Sequence, residues 1–342
     1  MNENKTEKNR LDYMDLAKGI GIICVILGHM GNSVIERIVF SFHMPLFFFI
    51  SGYFLSRQNT SKEILRKRIK QLIPPYLFTC GVIIMLSIIK NLIGVLINRK
   101  TMTDMKNELI NWMCASVYGA GSGEVYHNPI GAVWFLLAMI TATYIVKKSM
   151  EMEHTFLVIF VVALTGYISS KFIWLPWSIQ AGMTAAIFVY MGVKCREQRI
   201  FDIEEKSLHV GLFGTALIFW INEIIHGNPN MSIVRNCYPN GAFDFIGGGC
   251  GTICVIIIAR YLLVNVGLEK VWNILIWFGK NSLIILCVHL IEMDFFPYQK
   301  VFSQIGIREH LFLPTIILKL FLIISGTFLV QHTVFRKVFD RK

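Results

Sequence analysis

Runs of about 20 apolar residues recur from one end of this chain to the other, each the length of a helix that crosses hydrocarbon. In lipid the backbone must satisfy its own polar groups, which a helix does within a single segment. A soluble fold would instead have to bury nearly every one of these runs. With 54% hydrophobic and only 16% charged residues in 342, that alternative is set aside. The sequence therefore predicts an all-α polytopic membrane protein. The first apolar run carries its own charges and lacks a small-residue cleavage site, so it reads as a span and not as a removable signal peptide. Ten spans are expected near 15–33, 38–56, 74–97, 130–147, 154–170, 179–194, 207–224, 244–264, 280–297 and 311–333. The segment 271–279, "VWNILIWFG", reads as an interfacial helix leading into the ninth span.

An even number of spans puts both ends on one side, and the basic residues say which. That side holds 22 of the 33 lysines and arginines, so both termini are expected in the cytoplasm. The whole of 1–342 reads as one integral membrane domain, in a bacterial plasma membrane. It has a cytoplasmic tail at 1–14, a basic cytoplasmic loop at 57–73, a long external segment at 98–129 and a second tail at 334–342. The net charge of +11 follows this sidedness and gives no reason to expect nucleic acid. The lipid bilayer is the first partner. Eight cysteines show neither a CxxC pair nor zinc spacing, so no metal site is expected. Cys114 and Cys237 fall in external segments, where pairing and free thiols both stay open.

Three polar groups sit oddly in the first span, "MDLAKGIGIICVILGHMG". A central Asp or Lys costs about 2.5–3.5 kcal/mol on insertion scales, so such groups face a cavity or a partner. Lys18 and His29 are 11 residues apart, three turns plus roughly 20°, and Asp15 falls within about 40° of His29. They form one stripe roughly 21 Å long, which is incompatible with bare lipid exposure. His43 lies at a similar depth on the second span and could share a pocket with His29. An imidazole there can take a proton from a hydroxyl and return it, or it can be a buried packing group. Arg66, Lys67, Arg68 and Lys70 crowd the loop after the second span. They anchor it to anionic lipid or receive a phosphate-rich ligand. Glu124, Tyr126 and His127 precede the fourth span, as acceptor contacts or as solvated loop residues. Ser51 and Gly52 suggest close helix contact, and "FIGGGCGTIC" suggests a tight crossing. Lys319, inside the last span, must find a carboxylate, a carbonyl or water.

Five stretches carry a resemblance: "DLAKGIGIICVILGH", "FHMPLFFFISGYF", "KRIKQLIPPY", "AVWFLLAM" and "FGKNSLIILCVH". Through them nearly the whole chain resembles the acyltransferase 3 family of integral membrane acyltransferases, in particular its fucose 4-O-acetylase-like branch. The resemblance implies a basic residue 11 positions before a catalytic histidine, a spacing that Lys18 and His29 keep. Lys in place of the more usual Arg makes that cation a point charge, without bidentate geometry. It implies transfer of an acyl group from cytosolic acetyl-coenzyme A to a hydroxyl of an extracytoplasmic glycan or exported small molecule. His29 would be the general base or the acyl-accepting nucleophile, with Asp15 and His43 as further catalytic candidates. Lys18, Arg66, Lys67, Arg68 and Lys70 would hold the nucleotide end. Trp134 matches the family's "WFL" element, and with Glu124, Tyr126 and His127 would serve the acceptor. His289 matches a family position in the ninth span. A homodimer is compatible with all of this.

Other functions stay open at this point. The same stripe would serve a transporter as a proton or substrate relay. The same branch includes membrane domains joined to the serine racemases of vancomycin resistance, and a chain stopping soon after its last span fits a domain cut from such a fusion. A sensor or scaffold that kept the fold is the third class.

Overall fold

The computed structural model describes residues 2–119, 121, 129–202, 206–226, 230–304 and 311–340. Glu124, Tyr126 and His127 lie outside the described residues. Among these residues the chain is helical, with a single isolated β-bridge between Ser232 and Cys237. The helices are α1 (Asn2–Gly28), α2 (Ser33–Phe40), α3 (His43–Tyr53), α4 (Ser61–Leu96), α5 (Met102–Tyr118), α6 (Trp134–Ser149), α7 (Thr155–Ser169), α8 (Ile179–Glu197), α9 (Lys206–His226), α10 (Ala242–Asn265), α11 (Glu269–Lys280), α12 (Ser282–Phe295), α13 (Tyr298–Gln304), α14 (Phe312–Gln331) and α15 (Arg336–Phe339).

Helix occupies each of the ten segments expected to span. Among the described residues, five stretches are long and apolar enough to cross a membrane: Ser33–Tyr53, Ser61–Leu96, Gly131–Ser149, Ala242–Asn265 and Phe312–Gln331. A sixth is added if α11 and α12, bent by 75° at their junction, count as one broken span. Thr155–Ser169 and Val210–His226 are apolar but shorter. Large apolar side chains such as Leu77, Ile218, Phe321 and Leu329 stand exposed on the outer surface, as lipid contact requires. The protein is a multi-pass membrane protein.

Several boundaries differ from the sequence reading. The stretch 57–73 is not a loop throughout, because α4 begins at Ser61 and runs 36 residues. At 1.5 Å per residue that is about 54 Å, well beyond the roughly 30 Å of hydrocarbon. Thr60 caps its start, with Glu63 closing the reciprocal bond of a capping box. The Ser61 N–H also donates to Glu151 Oε1 at 2.9 Å, tying α4 to the α6–α7 turn. Lys148 donates to the other oxygen of that carboxylate, and the two contacts hold it down at about 2. The basic residues thus ride on a rigid helix. The segment 98–129 likewise opens with a helix, α5, which a Thr101–Asp104 capping box starts and Gly119, at φ +74°, stops. The second span is two helices, broken at Ser41–Phe42, so His43 is the first residue of α3. The first span ends early, at Gly28, leaving His29 just past the helix terminus.

The interior is set by two glycine-mediated crossings. A Cβ on Gly279 would lie 1.7 Å from the Asp15 carbonyl oxygen, and one on Gly19 would lie 2.0 Å from that of Leu275. The backbones of α1 and α11 therefore touch, as small residues allow in membrane interiors. The second crossing repeats this between α3 and α8, where Gly52 meets the Val189 carbonyl and Gly192 that of Phe49. The expectation for Gly52 holds. The glycines of α10 also pack closely, Gly248 against Ser41 and Pro45, and Gly251 against Trp220. The segment 271–279 lies within α11, which buries Trp272, Ile276 and Phe278 against its neighbours, runs along α1, leaves Val271 and Ile274 exposed, and meets α12 at a 75° bend.

Candidate active site

The polar stripe of α1 faces a cavity of about 970 Å³. Asp15 and Lys18 line one end of it together with Lys67 and Arg68 of α4. His29 and His43 line it further along, and Asn230 and Arg235, from the segment between α9 and α10, line it as well. Ile64, Lys67, Arg68, Gln71 and Leu72 share one face of α4 because they recur at three- and four-residue spacing. Arg66 and Lys70 fall off that face and do not reach the cavity, so of the four clustered cations the structure brings two to the stripe.

At the basic end, Lys18 pairs with Asp15 at 2.5 Å, one turn along the same helix, each side chain 15% exposed. An unpaired ammonium at that depth would be costly, and the carboxylate removes most of that penalty. Asp15 lies about 20 Å from His29 along the helix, so it acts on Lys18 and not on the imidazole. The Arg68 guanidinium donates to Ser51 Oγ at 2.8 Å, joining α4 to α3 beside the cavity.

His29 is exposed, and its ring lines the cavity. Phe40 stands edge-on to it at 6.2 Å and also contacts His43 at 5.2 Å. His43 itself is buried, and its Nδ1 sits 2.7 Å from the Val39 carbonyl. With the proton on Nδ1, that bond fixes the ring and leaves Nε2 as the free acceptor. On the other side of His29 lies His289 of α12, at 5.6 Å between ring centres and tilted by 40°.

His289 belongs to a buried cluster that joins three helices. Its Nδ1 is 3.1 Å from Glu292 Oε2, while Lys319 of α14 donates to Glu292 Oε1 at 2.8 Å. The Tyr298 hydroxyl of α13 donates to the same oxygen. Lys319 and Glu292 are each 5% exposed, so the missing partner of the last-span lysine is this carboxylate. Glu292, Tyr298 and Arg235 were not singled out from sequence. The signal for Glu292 was its place one turn after His289 on the same face. Trp134 is buried at the cavity wall, edge-on to Phe135 and packed so closely on Gly121 that a Cβ there would lie 2.5 Å from its ring. All eight cysteines, Cys114 and Cys237 included, are free.

Apolar helices surround a cavity with a cationic end and a cluster of imidazoles, which defines a multi-pass membrane protein with a polar internal site. The chain belongs to the acyltransferase 3 family: the model described as "Acyltransferase domain" matches residues 11–332. It is similar to nodulation protein NolL of Mesorhizobium japonicum, 30% identical over 154 residues, which cover 41% of this chain and 36% of that protein. It is also similar to NolL of Sinorhizobium fredii, 39% identical over 90 residues, covering 22% of this chain and 25% of that one. The chain thus spans about a third or less of the curated relatives it matches. No solved structure matches. The protein is a multi-pass membrane member of the acyltransferase 3 family.

Proposed function

We propose that the protein is an O-acetyltransferase of the fucose 4-O-acetylase-like branch, moving acetyl from cytosolic acetyl-coenzyme A to a hydroxyl of an extracytoplasmic acceptor. The acceptor is a cell-envelope glycan or an exported small molecule. The observation that carries this reading is the single cavity that joins Lys67 and Arg68 to the ring of His29. Ten spans, both termini in the cytoplasm and a plasma-membrane location complete the proposal, which puts the basic end of the cavity at the inner surface. Its volume, near the upper end for small-molecule sites, suits a donor arm and an acceptor together.

Lys67, Arg68 and the Asp15–Lys18 pair receive the phosphates of the donor, with Asp15 positioning Lys18. Arg66 and Lys70, off the cavity face, draw the anionic ligand toward the mouth. His29 then takes the proton from the acceptor hydroxyl while that oxygen bonds to the acyl carbon. As the carbon–sulfur bond breaks, His29 returns the proton to the sulfur, leaving an ester and a free thiol with no net proton change. Direct transfer is favoured over an acyl-histidine because one cavity holds both reactants beside the same ring. His43 lies behind Phe40 and shapes the pocket, while Trp134 walls it. Glu124, Tyr126 and His127 belong, on this reading, to the acceptor's entrance.

The test is purified protein with labelled acetyl-coenzyme A, with and without His29→Ala. L-serine and a fucosylated glycan offered as acceptors separate the two substrate classes. Transfer or hydrolysis lost with His29→Ala supports the reading, and equal rates remove His29 from it. Movement of solute across a vesicle membrane with no donor present would replace it with a transporter.

A further inference from the structure

We propose that His289 is a positioning residue for the reaction: its Nε2 accepts the second N–H of His29, and Glu292, held by Lys319 and Tyr298, locks it in the form that can do so. The proposal rests on the reading of His29 as the reacting base and deepens it.

Glu292 receives contacts from three groups, and an ionised carboxylate can only accept. His289 must then carry its hydrogen on Nδ1, which leaves a bare lone pair on Nε2. That nitrogen is fully buried and has no hydrogen-bond partner among the described residues. Buried polar atoms without partners are rare, and each calls for an explanation. The neighbouring imidazole is His29, whose ring centre lies 5.6 Å from that of His289 with the planes tilted by 40°. The bond is not made as the rings stand: with a nitrogen of each turned inward, that separation leaves about 3.3 Å between them, a few tenths of an ångström more than an ordinary hydrogen bond, which a small shift of His29 closes. His289 does not line the cavity, whereas His29 does, so His289 reaches the substrates only through His29.

The arrangement has a use at one moment. When His29 takes the hydroxyl proton it becomes a cation, and its second N–H needs an acceptor away from the substrates. His289 supplies one without becoming charged, and the hydrogen on Nδ1 stays with Glu292. No proton leaves the site. Lys319 balances the carboxylate, so the cluster brings no unpaired charge into the bundle. The charged and titratable groups around His29 are His43 of α3, His289 and Glu292 of α12, Tyr298 of α13, Lys319 of α14 and Glu36 of α2, which lines the same cavity.

The experiment measures turnover of labelled acetyl-coenzyme A to free thiol by the full chain, with water and the fucosylated glycan as acceptors, for His289→Asn and His289→Gln. Asn keeps a partner for Glu292 but has no acceptor at the Nε2 position, while Gln restores one. The proposal expects His289→Asn to lower kcat about 10²-fold, in the range of acid–base catalysis, with KM for the donor unchanged. Gln should recover at least about tenfold of that loss. If His29→Ala is inactive but His289→Asn turns over like the wild type, or Asn outperforms Gln, the relay is overturned and the reading of His29 stands. If His29→Ala is fully active, or the wild type does not turn over the donor, that reading falls and the relay with it. Should the position 289 variants fail to fold, Glu292→Gln/Lys319→Met removes the lock without leaving a lone charge. A kcat loss of about tenfold or more in that variant at unchanged coenzyme A affinity supports the relay, and wild-type kcat overturns it.

Discussion

Substituting Gly279 by Ala tests how the fold holds the cationic end of the cavity. The added Cβ would stand 1.7 Å from the Asp15 carbonyl oxygen, whereas ordinary contact begins near 3.4 Å. The obstacle is backbone, so no rotamer change relieves it, and α1 and α11 must part by about 1.7 Å. Overpacking of this kind costs typically 1–3 kcal/mol, here near the upper end because the opposing atom cannot turn aside. The strain falls on the residue whose side chain pairs with Lys18, so the displaced segment carries the cationic end of the cavity with it. The expected outcome is a Tm lower by several degrees in detergent, together with a raised KM for acetyl-coenzyme A and a kcat within about threefold, since His29 lies ten residues beyond Gly19 on the far side of the crossing. Gly211→Ala, at a position with open space around its Cβ, is the control. A Gly279→Ala protein with wild-type Tm and KM would refute the claim that this crossing places the basic end.

Three further outcomes follow from particular contacts. Lys319→Met leaves Glu292 charged and unpaired at 5% exposure, a loss of about 3–5 kcal/mol, which the paired change Glu292→Gln/Lys319→Met should largely restore; unfolding titrations of the three variants check this. Lys67→Ala and Arg68→Ala should each raise KM for the donor roughly three- to tenfold, the worth of about 1 kcal/mol of partly screened charge. Arg66→Ala and Lys70→Ala, off the cavity face, should change it less than about twofold. Glu151, held at about 2 by Lys148 and the Ser61 N–H, has a folded-state value below its unfolded one. Its clamp on the start of α4 is therefore complete above the usual carboxylate range and is lost as pH falls toward 2. Protection of the Ser61–Ile64 amides, measured against their intrinsic exchange rates, should fall over that interval, and at neutral pH in Glu151→Gln.

The stripe on α1 was legible because a helix has one period, and 11 residues return a side chain to nearly the same face. Lys319's need for a partner was legible for a different reason, the cost of a charge in lipid, but the partner was not. Glu292 lies 27 residues away on another helix, and no local pattern couples two helices that meet only in three dimensions. The helical start of α4 was hidden by its charge density and by Pro74–Pro75, although Thr60 and Glu63 spell a capping box in plain view. Gly52 announced a close contact, while the contact of Gly19 with α11 depends on a crossing that the sequence does not state. The separation of Lys67 and Arg68 from Arg66 and Lys70 needed the helix as well: five consecutive positions look alike as a loop and divide into two faces once wound.

Sealed inside-out vesicles bearing the protein provide the most direct test. Labelled acetyl-coenzyme A is supplied to the outward-turned cytoplasmic surface, and a fucosylated glycan is trapped within. The account predicts label on the enclosed glycan, with coenzyme A remaining outside, and none with His29→Ala. Label confined to the donor's side, or equal labelling by the His29→Ala protein, would contradict a route through the bundle past that imidazole.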